Sequence, residues 1–412
     1  MNVLYISYDG MTDPLGQSQV IPYLSGLSKK GHKIILISCE KKNRFQKQGS
    51  IIQELLNSNN IVWHAISYST LPSILSKQLN LLRIKQKAYE LCQAQKPDVV
   101  HCRSYMAALI GLQIKKKYGT KFIFDMRGFW ADERIDGAIW SLKNKVQKQI
   151  YFYFKKKEIE FLSNADFTIS LTQNAKDEIL SWKQFQKKPI PIQVISCCAD
   201  LNLFSEINID RSKQQELKKN NTISENDFII SYLGSIGTWY MLEEMLDFFK
   251  RFLSLKANAK FLFITPEDSA MIFEKAETKG ISRNKLIIQS ANRNEVPAYL
   301  SLSQLSLYFI KPVYSKKASS PTKTGEIMAL GIPIITNMGI GDSDKIISES
   351  GSGILIKNFT FEEYDYAINQ IDVLLNTDKT KITNTAKKYF SLEKGIDLYQ
   401  SVYESIAKSL KK

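Results

Sequence analysis

Long hydrophobic runs are missing from this chain. No stretch approaches the roughly 20 apolar residues that a membrane-spanning helix needs, and the opening Met-Asn-Val-Leu-Tyr-Ile-Ser-Tyr-Asp lacks the basic start and the apolar length of a signal peptide. Cysteine is sparse. Cys39, Cys92, Cys102, Cys197 and Cys198 show no C-x-x-C spacing, and the last two are adjacent, which argues against both a disulfide framework and a zinc site. A reducing, cytoplasmic compartment is therefore expected. No cluster of aspartates suits magnesium, no G-x-G-x-x-G marks a dinucleotide fingerprint, and no basic and aromatic module marks a nucleic-acid binder. Only three histidines are present.

Acidic residues are also in short supply. Lys and Arg number 56 against 41 Asp and Glu, a net charge of +15 that suits an anionic partner: a nucleotide, a nucleic acid or an acidic membrane. With 44% hydrophobic and 24% charged residues, the 412-residue chain has an ordinary globular balance and the length for two or three domains with sizeable cores.

The most informative stretch runs from Ser319 to Asp344. Ser320 suits an N-cap, Pro321 the first helical position and Gly331 a left-handed C-terminal cap, so the pattern predicts a short helix over 321–330. The unpaired amides of its first turn favour an anion, and Lys323 adds a full charge at that end. Glu326, three residues after Lys323 and four after Thr322, shares their face, one turn below a bound diphosphate and within reach of a ribose. Ile332–Thr336 reads as a buried strand ending in a glycine-bearing loop, where open α/β sheets bind ligands. Taken alone, the same pattern also describes a capped surface helix whose Lys323 and Glu326 form a solvated pair.

From the N-terminus, strands are predicted at Val3–Ser7, Lys33–Ser38, Ile61–Ile66, Asp98–Cys102 and Lys121–Met126. Helices are predicted at about 17–30, 72–95 and 105–117, which makes a parallel, doubly wound sheet. His101, Arg103, Asp125 and Arg127 gather at its carboxyl edge, where open α/β sheets bind ligands. Arg127 cannot act as a base and suits bidentate grip on a phosphate or carboxylate. His101 is equally well read as a satisfied core histidine. Six lysines against two glutamates lie between Lys143 and Glu160, on a predicted helix over 140–162 whose Leu142, Val146, Ile150 and Tyr153 recur at helical spacing. That helix either packs through its apolar stripe or meets an acidic inner leaflet.

Residues 205–226 are polar and lysine-rich and read as a linker. A second βα series follows: strands at Asp227–Leu233, Lys260–Thr265, Lys285–Gln289 and Leu305–Ile310, the turn Gly234–Gly237, and helices at Met241–Leu255 and Asn294–Ser301.

The string P-T-K-x-G-E-x-M-A-L-G-I-P-I-I from Pro321 resembles the donor-site motif of glycosyltransferase family 4, and the resemblance extends along the whole chain. It implies an α/β GT-B fold: two Rossmann-like, doubly wound parallel-sheet domains facing a cleft. The acceptor-side domain would be 1–204, the linker 205–226 and the nucleotide-sugar donor domain 227–385, with a C-terminal helix over 386–412 returning to the first domain. It further implies a retaining, metal-independent, cofactor-free transfer from a nucleoside diphosphate sugar to a glycan acceptor, lipid-linked, in bacterial-type surface polysaccharide synthesis. Such an enzyme would be cytoplasmic, in reversible contact with the anionic inner face of the plasma membrane, and would not bind nucleic acid. A nucleotide-sugar epimerase with the same donor pocket is the alternative, and a basic nucleic-acid-binding protein a more distant one.

Carried over residue by residue, the resemblance places Gly16 and Gly234 against the donor and the nucleobase near Gln289–Asn294. Two departures stand out. The arginine and lysine that the family supplies after Gly234 are absent before Phe249, so Arg293, Lys311 and Lys323 take their place, and Ala318 stands where the E-x7-E pattern has its first glutamate. The expected donor-binding set is thus Gly16, Gly234, Arg293, Lys311, Ser320, Thr322, Lys323 and Glu326. The acceptor side is His101, Asp125 and Arg127, and Arg127, Lys323 and Glu326 carry the chemistry.

Overall fold

Short runs of β-branched and aromatic residues, buried on both faces, build two parallel sheets in the computed structural model, which describes residues 1–69 and 73–410. In the first, β1 (Asn2–Ser7), β2 (Lys33–Glu40), β3 (Ile61–Ser67), β4 (Val99–Arg103), β5 (Lys121–Asp125), β6 (Phe167–Ser170) and β7 (Ile192–Val194) lie in the order β3-β2-β1-β4-β5-β6-β7. The direction of winding reverses between β1 and β4, which opens a crevice at their carboxyl ends. Register places Ser7 beside Arg103 and Arg103 beside Asp125, so these strand ends align along one edge.

The helix expected over 17–30 is two helices, Pro14–Gln19 and Ile21–Lys29, broken at Val20. Pro22 explains the break, because it has no N–H to donate and its ring clashes with the preceding turn. The helix Leu392–Leu410 belongs to this first unit, Met1–Ser196 with Leu392–Lys412. It packs against Ile21–Lys29 at Gly26, where an added Cβ would fall 2.3 Å from Ile396 Cδ1. Residue 72, at the start of the expected 72–95 helix, and residues 411–412 lie outside the described residues.

The second unit is Cys197–Ser391. Its strands are β8 (Phe228–Leu233), β9 (Ala259–Ile264), β10 (Leu286–Gln289), β11 (Leu305–Leu307), β12 (Ile334–Asn337) and β13 (Gly353–Ile356), all parallel, in the order β10-β9-β8-β11-β12-β13. Residues 205–226, read above as a linker, are structured. They hold a 3-10 turn, Glu206–Asn208, and a helix, Arg211–Asn220, whose N-cap Asp210 accepts from the Lys213 amide at 2.9 Å. Ile209 and Leu217 enter the core of this unit, and Gln214 donates to Ser301 Oγ at 2.7 Å. The polar composition hid two apolar anchors. Phe390 enters the same core, so residues 386–391 belong here and the last helix proper begins at Leu392.

The basic helix spans Lys145–Asn164, not 140–162, because Asn144 caps it by accepting from the Val146 and Gln147 amides. Its buried face is Phe154, Glu158, Phe161 and Leu162. On the stripe expected to pack, Leu142, Val146 and Tyr153 are exposed, as is Phe152 beside them. Among the described residues no helix is long and apolar enough to cross a membrane. All five cysteines are buried and none is in a disulfide.

Candidate functional site

In the second unit the helix Thr322–Ala329 forms where the cap pattern predicts, and Gly331, at φ +68°, ends it in the left-handed conformation that glycine permits. Its start differs from expectation. Pro321 occupies the N-cap without any side-chain hydrogen bond, while the Ser320 hydroxyl accepts from the Cys197 amide at 3.1 Å. Ser320 is therefore engaged with the Cys197 backbone and leaves the first turn without a capping oxygen. Thr322, at the first helical position, is half-buried.

Lys323 is only 6% exposed, and its Nζ makes no hydrogen bond. The amine lies 3.5 Å from the centroid of the Tyr240 ring, 4.2 Å from that of Tyr232 and 5.6 Å from that of Tyr308. Burial pushes it well below the ordinary lysine range, with Glu326 working the other way. Gly234, at φ +105°, lies beneath it, where an added Cβ would sit 3.4 Å from Nζ. The two residues carried over from opposite ends of the second unit thus meet.

Glu326, also buried, is ion-paired with Arg293, whose guanidinium lies 4.9 Å from the Phe204 ring. Lys311 is exposed and joins through its backbone, its amide donating to Trp239 O at 2.9 Å. Lys316, not singled out by the sequence, is buried over the Trp239 ring at 3.7 Å. Ala318 closes the 3-10 turn Tyr314–Ala318 and is buried, so no acid stands there. The tyrosine cage escaped sequence reading because Tyr232, Tyr240 and Tyr308 come from three separate segments and resemble core aromatics.

In the first unit the carboxyl edge of the sheet holds a buried polar cluster. Asp125 Oδ2 lies 3.6 Å from His101 Nε2, and Arg127 Nη1 lies 3.8 Å from Asp125 Oδ1. Two residues of the last helix complete it: the Tyr399 hydroxyl donates to Asp125 Oδ2 at 3.0 Å, and the Tyr403 hydroxyl lies 2.8 Å from His101 Nδ1. Burial raises the Asp125 carboxyl, but Arg127, His101 and Arg103 outweigh it and hold the group below the usual range. Burial keeps His101 lowered, and hence neutral, against the pull of Asp125. Arg127 adopts φ +60°, a strained setting for a side chain of its size.

Gly16 sits in the helix Pro14–Gln19, and an added Cβ would fall 2.3 Å from Gly10 O. The close approach it allows is to the chain's own loop. That loop wraps a buried carboxylate: Glu40 accepts from the Met11 amide at 2.6 Å, the Thr12 amide at 3.1 Å and the Thr12 hydroxyl at 2.6 Å. The Met11 and Thr12 amides in the loop beside Gly16 are thus already engaged by the Glu40 side chain. The signal was an acid at the end of the second strand. Among the described residues no three His, Cys, Asp or Glu side chains gather as metal ligands.

The family model described as Glycosyltransferase Family 4 matches residues 18–203, and that described as Glycosyl transferases group 1 matches 213–389. No curated protein matches the chain in sequence. Among solved structures, a glycosyltransferase from Rickettsia africae is 16% identical with a TM-score of 0.72, over 99% of this chain and 98% of that one. Anabaena HepE in complex with UDP and glucose is 13% identical with a TM-score of 0.68, over 99% of each chain. A sucrose-phosphate synthase from Thermosynechococcus elongatus is 12% identical with a TM-score of 0.70, over 99% of this chain and 100% of that one.

Proposed function

Because this chain belongs to the glycosyltransferases of GT-B fold, we propose that it moves a sugar from a nucleoside diphosphate donor to a hydroxyl of a lipid-linked glycan in surface polysaccharide assembly. Transfer proceeds with retention and without a metal ion or other cofactor. The observation that carries this reading is the start of the helix Thr322–Ala329: uncapped, with Lys323 buried beside Gly234 and the Arg293–Glu326 pair on its next turn. Anabaena HepE, which is bound to UDP and glucose, supports a nucleotide donor.

In this account the acceptor oxygen bonds to the anomeric carbon on the face from which the diphosphate departs. The bond from that carbon to the diphosphate breaks, and the acceptor hydroxyl proton passes to an oxygen of the leaving diphosphate. The leaving diphosphate gathers charge, which the helix amides and Lys323 stabilise more strongly in the transition state than in the ground state. Glu326 accepts from the ribose hydroxyls while Arg293 fixes its orientation. Arg127, propped by Asp125, grips an anionic part of the acceptor.

Contact with the membrane falls to the helix Lys145–Asn164. Lys145, Lys148 and Lys156 share an open surface hollow with Gln149, Phe152 and Tyr153, a basic rim around exposed aromatics that suits an anionic leaflet. Lys155 and Lys157 are engaged elsewhere. Lys155 bonds to Asp132 at 2.8 Å and pairs with buried Glu158, and Lys157 bonds to Glu160 at 2.7 Å.

The test is product analysis with donors labelled in the sugar, supplied with lipid-extracted acceptors and with chelator present. Label in an extended glycan supports transfer. Label remaining in a nucleotide sugar of altered configuration identifies an epimerase instead.

A further inference from the structure

Three tyrosines surround the Lys323 amine, and each is fixed independently of it. The Tyr232 hydroxyl donates to Ser235 O at 2.7 Å, and the Tyr308 hydroxyl lies 2.7 Å from Thr324 Oγ1. Tyr240 is held by its backbone, which bridges Ile310, while the next residue, Met241, donates its amide to Phe309 O at 3.0 Å. The cage is therefore rigid, and the flexible lysine arm is its only soft part.

Charge around the amine is incomplete. Glu326, the one acid acting on it, is committed to Arg293. Burial raises the hydroxyls of Tyr232, Tyr240 and Tyr308, so all three stay neutral at ordinary pH. Ring faces attract an ammonium but cannot accept its protons as an oxygen does. An amine left so, at a helix start with no capping oxygen, lacks only an anion.

We propose that Tyr240, backed by Tyr232 and Tyr308, is a positioning residue for Lys323: the rings hold the amine beside Gly234 with no hydrogen bond to break, and release it, with a proton taken from solvent, to an anion arriving at the first turn of Thr322–Ala329. This rests on the reading of that turn as the donor diphosphate site. It also gives the segment after β8 a role there, although that segment lacks basic residues: it supplies the Tyr240 ring that holds an amine from elsewhere.

Calorimetric titration of the full chain with UDP, GDP, ADP and dTDP, and with the matching nucleosides, tests this from pH 7.5 to 9.5. Pairs of buffers with different ionisation enthalpies reveal proton transfer. The best-bound diphosphate takes up a sizeable fraction of a proton, and its affinity falls by up to tenfold per pH unit where the free chain has lost the proton and the complex keeps it. The nucleoside shows neither effect. Tyr240→Leu weakens the diphosphate at least fivefold and alters proton uptake, Tyr240→Phe restores both, and Lys323→Met abolishes the uptake. Diphosphate binding with no proton uptake and flat pH dependence in the wild-type chain overturns the proposal and leaves the donor site standing. If no nucleoside diphosphate binds, the donor-site reading falls and the proposal with it.

Discussion

The carboxylate of Glu326 is ion-paired with the guanidinium of Arg293, so the acid one turn along the helix from Lys323 is neutralised by a different cation. This division leaves the Lys323 amine without an acid of its own and orients Glu326. Glu326→Ala removes a hydrogen bond to a charged acceptor, worth about 1.5 to 3 kcal/mol, and is expected to weaken nucleotide binding by roughly tenfold or more. Arg293→Ala weakens it less, since it only loosens the carboxylate. Calorimetry on both variants and the double variant checks this, and wild-type affinity in Glu326→Ala would remove the ribose role.

Lys323→Met is expected to stabilise the empty protein while impairing diphosphate binding. The folded-state lysine is depressed far below its unfolded value, so at neutral pH the unfolded chain binds the extra proton and unfolding is favoured. The penalty shrinks as pH rises toward the unfolded lysine value of about 10.4. Urea unfolding at pH 7 and 9.5 should show a variant advantage that is larger at the lower pH, and an advantage at neither would contradict the burial argument.

Tyr399 and Tyr403 tie the last helix to Asp125 and His101, so ending the chain at residue 391 should expose a buried carboxylate and abolish cooperative folding of the first unit. Tyr399→Phe is milder, leaving one buried acceptor short of a donor at about 1 to 3 kcal/mol. Asp125, held low, contributes stability present above its unfolded value of about 3.9 and lost as pH falls through the folded one. Acid unfolding of Asp125→Asn should lack that component, although leaving Arg127 without its partner weakens the variant at all pH values.

Replacing Lys145, Lys148 and Lys156 by Gln is expected to lower co-sedimentation with anionic vesicles, each lysine contributing about 1 kcal/mol near such a surface, without changing donor affinity. Phe152→Ser with Tyr153→Ser should reduce the fraction that survives high salt. Lys155→Gln belongs to another class. It strands Glu158, and breaking a buried pair costs about 3 to 5 kcal/mol, so it should lower the melting temperature. Vesicle binding untouched by the triple variant would make this face irrelevant to membranes.

Most of the architecture was legible because parallel strands buried on both faces announce themselves as apolar runs, and because Pro321 and Gly331 bracket a helix. The linker was misjudged because Ile209 and Leu217 are only two anchors in a polar stretch. The lysine-rich helix was legible in charge but not in facing, since Leu142, Val146 and Tyr153 recur at helical spacing whichever side they meet. Within the site, Lys323 and Glu326 were visible as neighbours on one helix. Tyr240 and Arg293 were not visible as their partners, nor was Tyr399 as the partner of Asp125, because contacts across tens or hundreds of residues leave no local period.

The central claim is that the start of the helix Thr322–Ala329 binds the diphosphate of a nucleotide sugar. Thermal unfolding against a panel of nucleoside diphosphates and their sugars, run on wild type, Lys323→Ala and Glu326→Ala, tests it most directly. A ligand at one hundred times its dissociation constant adds about 2.7 kcal/mol to stability. The account predicts that at least one member raises the wild-type melting temperature by that equivalent, that its free nucleoside does far less, and that Lys323→Ala loses the difference. A panel with no stabilising member, or one whose shift Lys323→Ala and Glu326→Ala both preserve in full, would contradict it.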